Sequence, residues 1–179
     1  MSLEPLERRN CTVVPAKPPK HKAARGRKSW RQKLAAAKAK PDLPKRWFCE
    51  KAGQMFVVPS PDEVEQIICR VPRGRLITMQ QIGGMLCRMH KVDVACPMTT
   101  GIMAWLIAHA AEEAAGEGAK RVPPWWRVLK TGAQLNPRYP GNGRTQQEKL
   151  EAEGHRIVAR GKTLRVADYE SALVKSPVP

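Results

Sequence analysis

The chain has 179 residues, with 32 Lys and Arg against 16 Asp and Glu and a formal net charge of +16. That length allows one domain of ordinary size plus a tail, and the charge makes a polyanion the expected partner. No stretch approaches the roughly 20 consecutive apolar residues that cross a bilayer, and the first residues (Met-Ser-Leu-Glu-Pro-Leu-Glu-Arg-Arg) lack the apolar run of a signal peptide. The expectation is a monomer of the cytoplasm or nucleoid, with no membrane association. Cys11, Cys49, Cys69, Cys87 and Cys96 are odd in number and form no C-x-x-C pair, so reduced thiols are expected and no metal or cofactor is implied. His90 with Cys87 and Cys96 would lack a fourth zinc ligand.

Residues 1–46 read as a disordered basic tail. They carry fourteen Lys and Arg and three acidic residues, a net +11, with proline patches and too little apolar surface to offset ordering entropy. Ser29–Lys40 could form a helix capped by Ser29, marginal when free in water. The tail is either a solubilising segment or an arm that gains affinity for nucleic acid by counterion release. Residues 47–59, with Trp47, Phe48, Met55, Phe56, Val57 and Val58 around Gly53, suggest a short strand or hairpin.

A folded domain is expected over residues 60–175. Ser60-Pro61-Asp62-Glu63 is a capping box with Pro at the first helical position, and Val64, Ile67, Ile68 and Val71 follow on one face. After a turn carrying Arg73 and Arg75, Thr78-Met79-Gln80-Gln81 starts a second helix with Ile82, Met85, Leu86 and Met89 on its apolar stripe. Gly83 and Gly84 weaken that helix and suggest an element crossing closely. A third helix is expected to start at Thr99 or Thr100 and to run past Ala110, with Glu112, Glu113 and Glu117 at its far end. Those carboxylates would repel phosphate, whereas the helix N-terminus would attract it.

Val122–Leu129 (Val-Pro-Pro-Trp-Trp-Arg-Val-Leu) then reads as an extended or turn segment fixed by its two prolines, with Trp125 and Trp126 on opposite faces if it stays extended. The pair serves either as two core anchors or as an aromatic surface beside Arg127. A loop through Tyr139, Pro140 and Gly141 leads to a helix over Thr145–Glu153. A hairpin turning at Gly161-Lys162 and a short helix from Asp168 to Val174 complete the chain.

Val71-Pro72-Arg73-Gly74-Arg75 with Gln80-Gln81-Ile82, Pro124-Trp125-Trp126-Arg127-Val128, Tyr139-Pro140-Gly141 and Leu150-Glu151-Ala152-Glu153-Gly154 occur in that order. Over about Asp62–His155 the chain resembles the C-terminal DNA-binding domain of the alkylguanine-DNA alkyltransferases, and more closely the alkyltransferase-like proteins. The resemblance implies a mainly α fold with short strands, a winged-helix-like helix-turn-helix that enters the minor groove and flips a nucleotide into a pocket. Alkyltransferases carry Pro-Cys-His-Arg-Val where this chain has Trp125 and Trp126, and of the relay only Glu153 is matched. Tryptophan forms no thiolate and relays no proton, so alkyl transfer is not expected at this position.

The family's pocket Tyr corresponds to Met79, and its intercalating Arg falls at about Thr99 or Thr100. The implied lesion pocket is Trp125, Trp126, Met79, Tyr139, Pro140 and Gly141, open for stacking or closed by the two indoles. The implied DNA contacts are Arg73, Arg75, Gln80, Thr99, Thr100 and Arg127, the last supporting the site first. The expected function is non-enzymatic recognition of alkylated or distorted double-stranded DNA in support of repair. O-alkylguanine taken by nucleotide flipping is the specific candidate, and nucleotide excision repair proteins are the candidate partners. The alternatives are a general nucleic-acid-binding or architectural protein, and an enzyme whose nucleophile has moved to Cys87 or Cys96.

Overall fold

Ser29 caps helix α1 (Trp30–Lys38), its hydroxyl accepting from the Gln32 N–H while the Gln32 side chain accepts from the Ser29 N–H. The computed structural model describes residues 28–175, so residues 1–27 of the expected tail lie outside the described residues. The remainder departs from that expectation, because α1 is docked along a long helix, α4 (Pro97–Gly116). The first turn of α1 has no acid of its own. Glu113 of α4 supplies one, accepting from the Trp30 and Arg31 N–H groups at 3.3 and 2.8 Å. An N-terminal turn leaves such donors unsatisfied, and a carboxylate there also meets the positive end of the helix dipole. The Trp30 ring stacks on His109 at 4.3 Å and meets Trp105 edge-on at 4.8 Å, and Leu34 is buried. The apolar and π surface that the tail lacks in its own composition is supplied by α4.

The expected hairpin is formed by β1 (Lys45–Cys49) and β2 (Gln54–Val58), and β2 pairs in parallel with β4 (Val94–Ala95) in a sheet of order β1-β2-β4. Helix α2 (Pro61–Cys69) starts at the first capping box, with Pro61 at its head, and buries Val64, Ile67 and Ile68. Lys38 of α1 reaches it, pairing with Asp62 and Glu65. After β3 (Ile77–Thr78), helix α3 (Met79–His90) starts at the second box, where Thr78 and Gln81 cap each other, and buries Ile82, Met85 and Leu86. Residues 91–96 link α3 to α4. β5 (Val128–Leu129) pairs in parallel with β3. Helix α5 (Arg144–Glu151), the hairpin of β6 (Ile157–Arg160) and β7 (Thr163–Val166), and the short α6 (Tyr169–Ala172) follow. The fold is mainly helical with short strands. One core cluster joins α2, α3, α4 and Trp125; a second gathers Leu76, Leu129, Leu135, Leu150 and Val166.

Three local expectations are corrected. Helix α4 begins at Pro97 with Cys96 as its N-cap residue, not at Thr99 or Thr100, because Pro97 is pre-set for the first helical position. Trp125–Arg127 is a 3-10 turn, closed by the Arg127 N–H donating to the Pro124 carbonyl at 3.1 Å, and only Val128 and Leu129 are extended. No element crosses at Gly83, where an added Cβ would meet nothing within 4 Å, and at Gly84 the nearest atom is the tip of Arg88 at 3.7 Å. Helical glycine with free space around it only adds backbone entropy to the unfolded state. Gly83→Ala is expected to stabilise the protein by about 0.5–1 kcal/mol, read as a higher midpoint in urea denaturation; a lower midpoint would show a hidden steric constraint.

Candidate nucleic-acid interface

Pro123 and Pro124 deliver the chain into the 3-10 turn with both prolines buried, which drives the first indole inward. Trp125 is completely buried and meets Trp126 and Tyr139 edge-on, at 6.1 and 5.5 Å between ring centres. Tyr139 is buried with it, and that burial pushes its phenol well above the ordinary range despite a hydrogen bond with the Asn136 side chain. Pro140 is also interior, and Met79 packs against the core at the head of α3. Gly141 is exposed at φ +66, where a Cβ would lie 2.4 Å from the Thr145 hydroxyl. Of the six residues expected to line a lesion pocket, Trp125 and Tyr139 therefore offer no surface to a ligand. Trp126 is half-buried and keeps an accessible ring. A 3-10 turn rather than a strand separates the fates of the two indoles.

Gln146, fully buried on α5, holds this segment from below: its amide donates to the Trp126 and Val128 carbonyls, and its oxygen accepts from the Asn136 N–H. Every polar atom of this side chain is used, as a buried amide requires. The sequence signal was available, since Gln146 precedes Leu150 by one helical turn and so shares its inward face.

Trp126, Arg127 and Glu153 form one network. The Trp126 indole donates to Glu153 Oε1 at 2.8 Å, Arg127 donates to the same carboxylate through Nε and Nη2, and the Gly74 N–H reaches Oε2 at 3.0 Å. Arg127 Nη1 donates to the Val71 carbonyl at 2.6 Å. Burial alone would raise the Glu153 carboxyl, but the hydrogen bonds from Arg127, Gly74 and Trp126 together hold it below its ordinary value. Burial and the Arg127 charge keep the His155 imidazole below its ordinary value, against the opposing pull of Glu153. Arg127, expected among the DNA contacts, is thus committed inside the protein: its side chain is 12% exposed and its guanidinium is occupied by Glu153 and Val71. The carboxylate matched to the family relay serves here as its counter-ion.

The other expected contacts divide. Arg73 and Gln80 are exposed; Arg75 is exposed but donates to the Ser171 carbonyl at 2.9 Å. Thr99 is half-buried and Thr100 is buried, and both hydroxyls donate to the Cys96 carbonyl one turn back. Starting α4 at Pro97 moves its surface onto residues not anticipated: Met98 and Ile102, 73% and 43% exposed and four residues apart. Pro97 was the legible signal for that start.

The Cys96 thiol is raised by burial, but the Thr99 hydroxyl and the N–H groups of Thr99 and Met98 outweigh this and hold it below its ordinary value. Cys87 Sγ accepts from the Ala95 N–H and contacts the Asp93 carbonyl, while His90 pairs with Glu63 at 2.7 Å. Among the described residues no group of three or more His, Cys, Asp or Glu is placed to hold a metal, and no helix is long and apolar enough to cross a membrane.

No protein-family model matches the chain, and no curated protein matches it. Among solved structures it is similar to S. pombe Atl1 in complex with damaged DNA containing O6-carboxymethylguanine, at 19% identity and a TM-score of 0.46, covering 64% of this chain and 94% of that one. It is likewise similar to S. pombe ATL in complex with DNA, at 20% identity and a TM-score of 0.47, with the same coverage of each chain.

Proposed function

We propose that the protein binds duplex DNA without catalysing a reaction on it, recognises alkylated or otherwise distorted sites, and supports their repair. The observation that carries this reading is the first two turns of α4. Met98 and Ile102 project an apolar pair from a helix N-terminus that has no acid in its first turn, on a chain of net charge +16. The positive dipole end favours phosphate there, and exposed Met and Ile are residues that wedge between base steps and open them. The repelling carboxylates lie far along the same helix, with Glu113 and Glu117 engaged by α1 and Glu112 by Lys149. Gln80, exposed at the start of α3, is a further polar side chain free to meet a base edge or backbone.

With Trp125 and Tyr139 buried, discrimination rests on how easily a damaged step unstacks rather than on an enclosed pocket for the alkyl group. That same closure favours a second reading, a general nucleic-acid-binding protein indifferent to damage. Competition binding at fixed physiological salt separates them, using one duplex with and without a single O-alkylguanine. The expected result is a preference of about tenfold for the altered duplex, lost in Met98→Ser/Ile102→Ser while affinity for intact DNA falls less. Equal affinities for both duplexes would leave only the general reading.

A further inference from the structure

An open cleft of about 340 Å3 lies on the Glu153 side of the Trp126 network, lined by Arg73, Trp126, Arg127, Lys149, Ala152 and Glu153. Its floor is rigid. The Trp126 indole is fixed by Glu153, and the turn that carries Arg73 is tied to the same group through the Gly74 N–H and through Arg127 on the Val71 carbonyl. Three cations face one carboxylate, and these are not equivalent. Arg127 and Glu153 neutralise each other, with Trp126 and Gly74 also donating to the carboxylate and Val71 also accepting from the guanidinium. Arg73 is exposed and makes no ion pair or hydrogen bond among the described residues, and Lys149 is held only by Glu112 at 3.4 Å. Lys149 Nζ also stands over the Trp126 ring, 5.1 Å from its centre, and the Arg127 guanidinium lies 5.4 Å from it, so a base reaches the ring face only as Lys149 swings off it toward the phosphate.

We propose that this cleft binds a single nucleoside monophosphate unit, its base stacked on Trp126 and its phosphate held by Arg73 and Lys149. Two cations that can be recruited call for an anion, and an aromatic floor calls for a planar group attached to it. The cleft sits near the lower end of the roughly 300–1,000 Å3 of small-molecule sites, enough for one nucleotide. The floor is pre-formed, so binding orders only the Arg73 and Lys149 side chains. The nucleotide is either free or an unpaired terminal nucleotide of a strand. The site is separate from the exposed end of α4, so it stands or falls independently of the duplex-binding reading.

The test uses the full chain labelled with 15N and follows the Trp126 indole N–H, assigned by its loss in Trp126→Phe, during titration with AMP, adenosine, inorganic phosphate and a 5′-phosphorylated single-stranded oligonucleotide. AMP is expected to move this signal saturably, with adenosine and phosphate each binding at least about tenfold more weakly. Arg73→Ala and Lys149→Ala are each expected to weaken AMP about tenfold, as loss of a charged hydrogen bond does. The four other indole signals report that these variants remain folded. A response to the oligonucleotide stronger than to AMP, with the same dependence on Arg73 and Lys149, assigns the site to a strand end; a response to AMP alone assigns it to the free nucleotide. The proposal is overturned if AMP leaves the Trp126 signal in place, if both alanine variants bind AMP like wild type, or if phosphate alone binds as tightly.

Discussion

Trp125→Ala is expected to destabilise the protein by about 3–5 kcal/mol, read as a large drop in the urea midpoint with an unchanged slope. Trp125 is the largest fully buried side chain, and its ring is held edge-on by both Trp126 and Tyr139. Truncation removes the transfer energy of the indole and leaves a cavity between two helices and the 3-10 turn. Trp125→Phe is expected to cost much less than its lost volume implies. The indole Nε1 is buried with no hydrogen-bond partner among the described residues, so its removal relieves an unsatisfied donor while keeping most of the packing. A Trp125→Ala variant as stable as wild type would mean that the indole is not a core anchor and would reopen the aromatic-pocket reading. A change in DNA binding by this variant is interpretable only after its stability has been measured.

Glu153→Gln is the second large effect, about 3–5 kcal/mol of lost stability, because it leaves the Arg127 guanidinium buried opposite a neutral group. The two side chains are 7% and 12% exposed, so water does not replace the lost partner. In a double-mutant cycle, adding Arg127→Met is expected to recover part of the loss, since removing both charges costs less than stranding one. The pH dependence follows from the sign of the shift. Glu153 has its carboxyl below the ordinary value in the folded state, so its contribution is fully present above the unfolded value, near 4.5, and is lost as pH falls through the depressed one. His155 is also depressed, so its neutral form adds stability that fades as pH falls below about 6.5. The acid limb of the stability curve is expected to flatten below about pH 4.5 in Glu153→Gln, leaving the His155 component, which loss of the Glu153 charge deepens. An unaltered acid limb would mean that other carboxylates carry it.

The consequences for function follow from the same residues. Arg127 looks like a phosphate ligand when read beside two tryptophans, yet all three of its guanidinium nitrogens are engaged by Glu153 and Val71. Thr99 and Thr100 look like a helix cap facing solvent, yet both hydroxyls turn back onto Cys96 once Pro97 begins the helix. Met98 and Ile102 gain their importance only through that same shift of two residues. The acids of α4 show the pattern again. Placed at the end of one helix they suggest only repulsion of phosphate, whereas in space Glu113 is the cap of another helix, 82 residues away in sequence from Arg31.

Local features were legible where the determining interaction lies within a few residues. Ser29, Ser60 and Thr78 each announce a helix start because the capping partner sits three residues on, and the apolar stripes of α2 and α3 declare their buried faces through the helical period alone. Net charge, which needs no coordinates, already pointed to a polyanionic partner. What tertiary structure alone decided is which of several chemically equal side chains keeps a free surface. Trp125 and Trp126 are adjacent residues of one type, and Arg73 and Arg127 are both cations expected to meet DNA. One of each pair is consumed by contacts from distant elements and the other keeps a surface at the cleft open to a ligand. Burial and partner choice depend on groups brought together across the chain, and no short-range pattern encodes which partner arrives first in space.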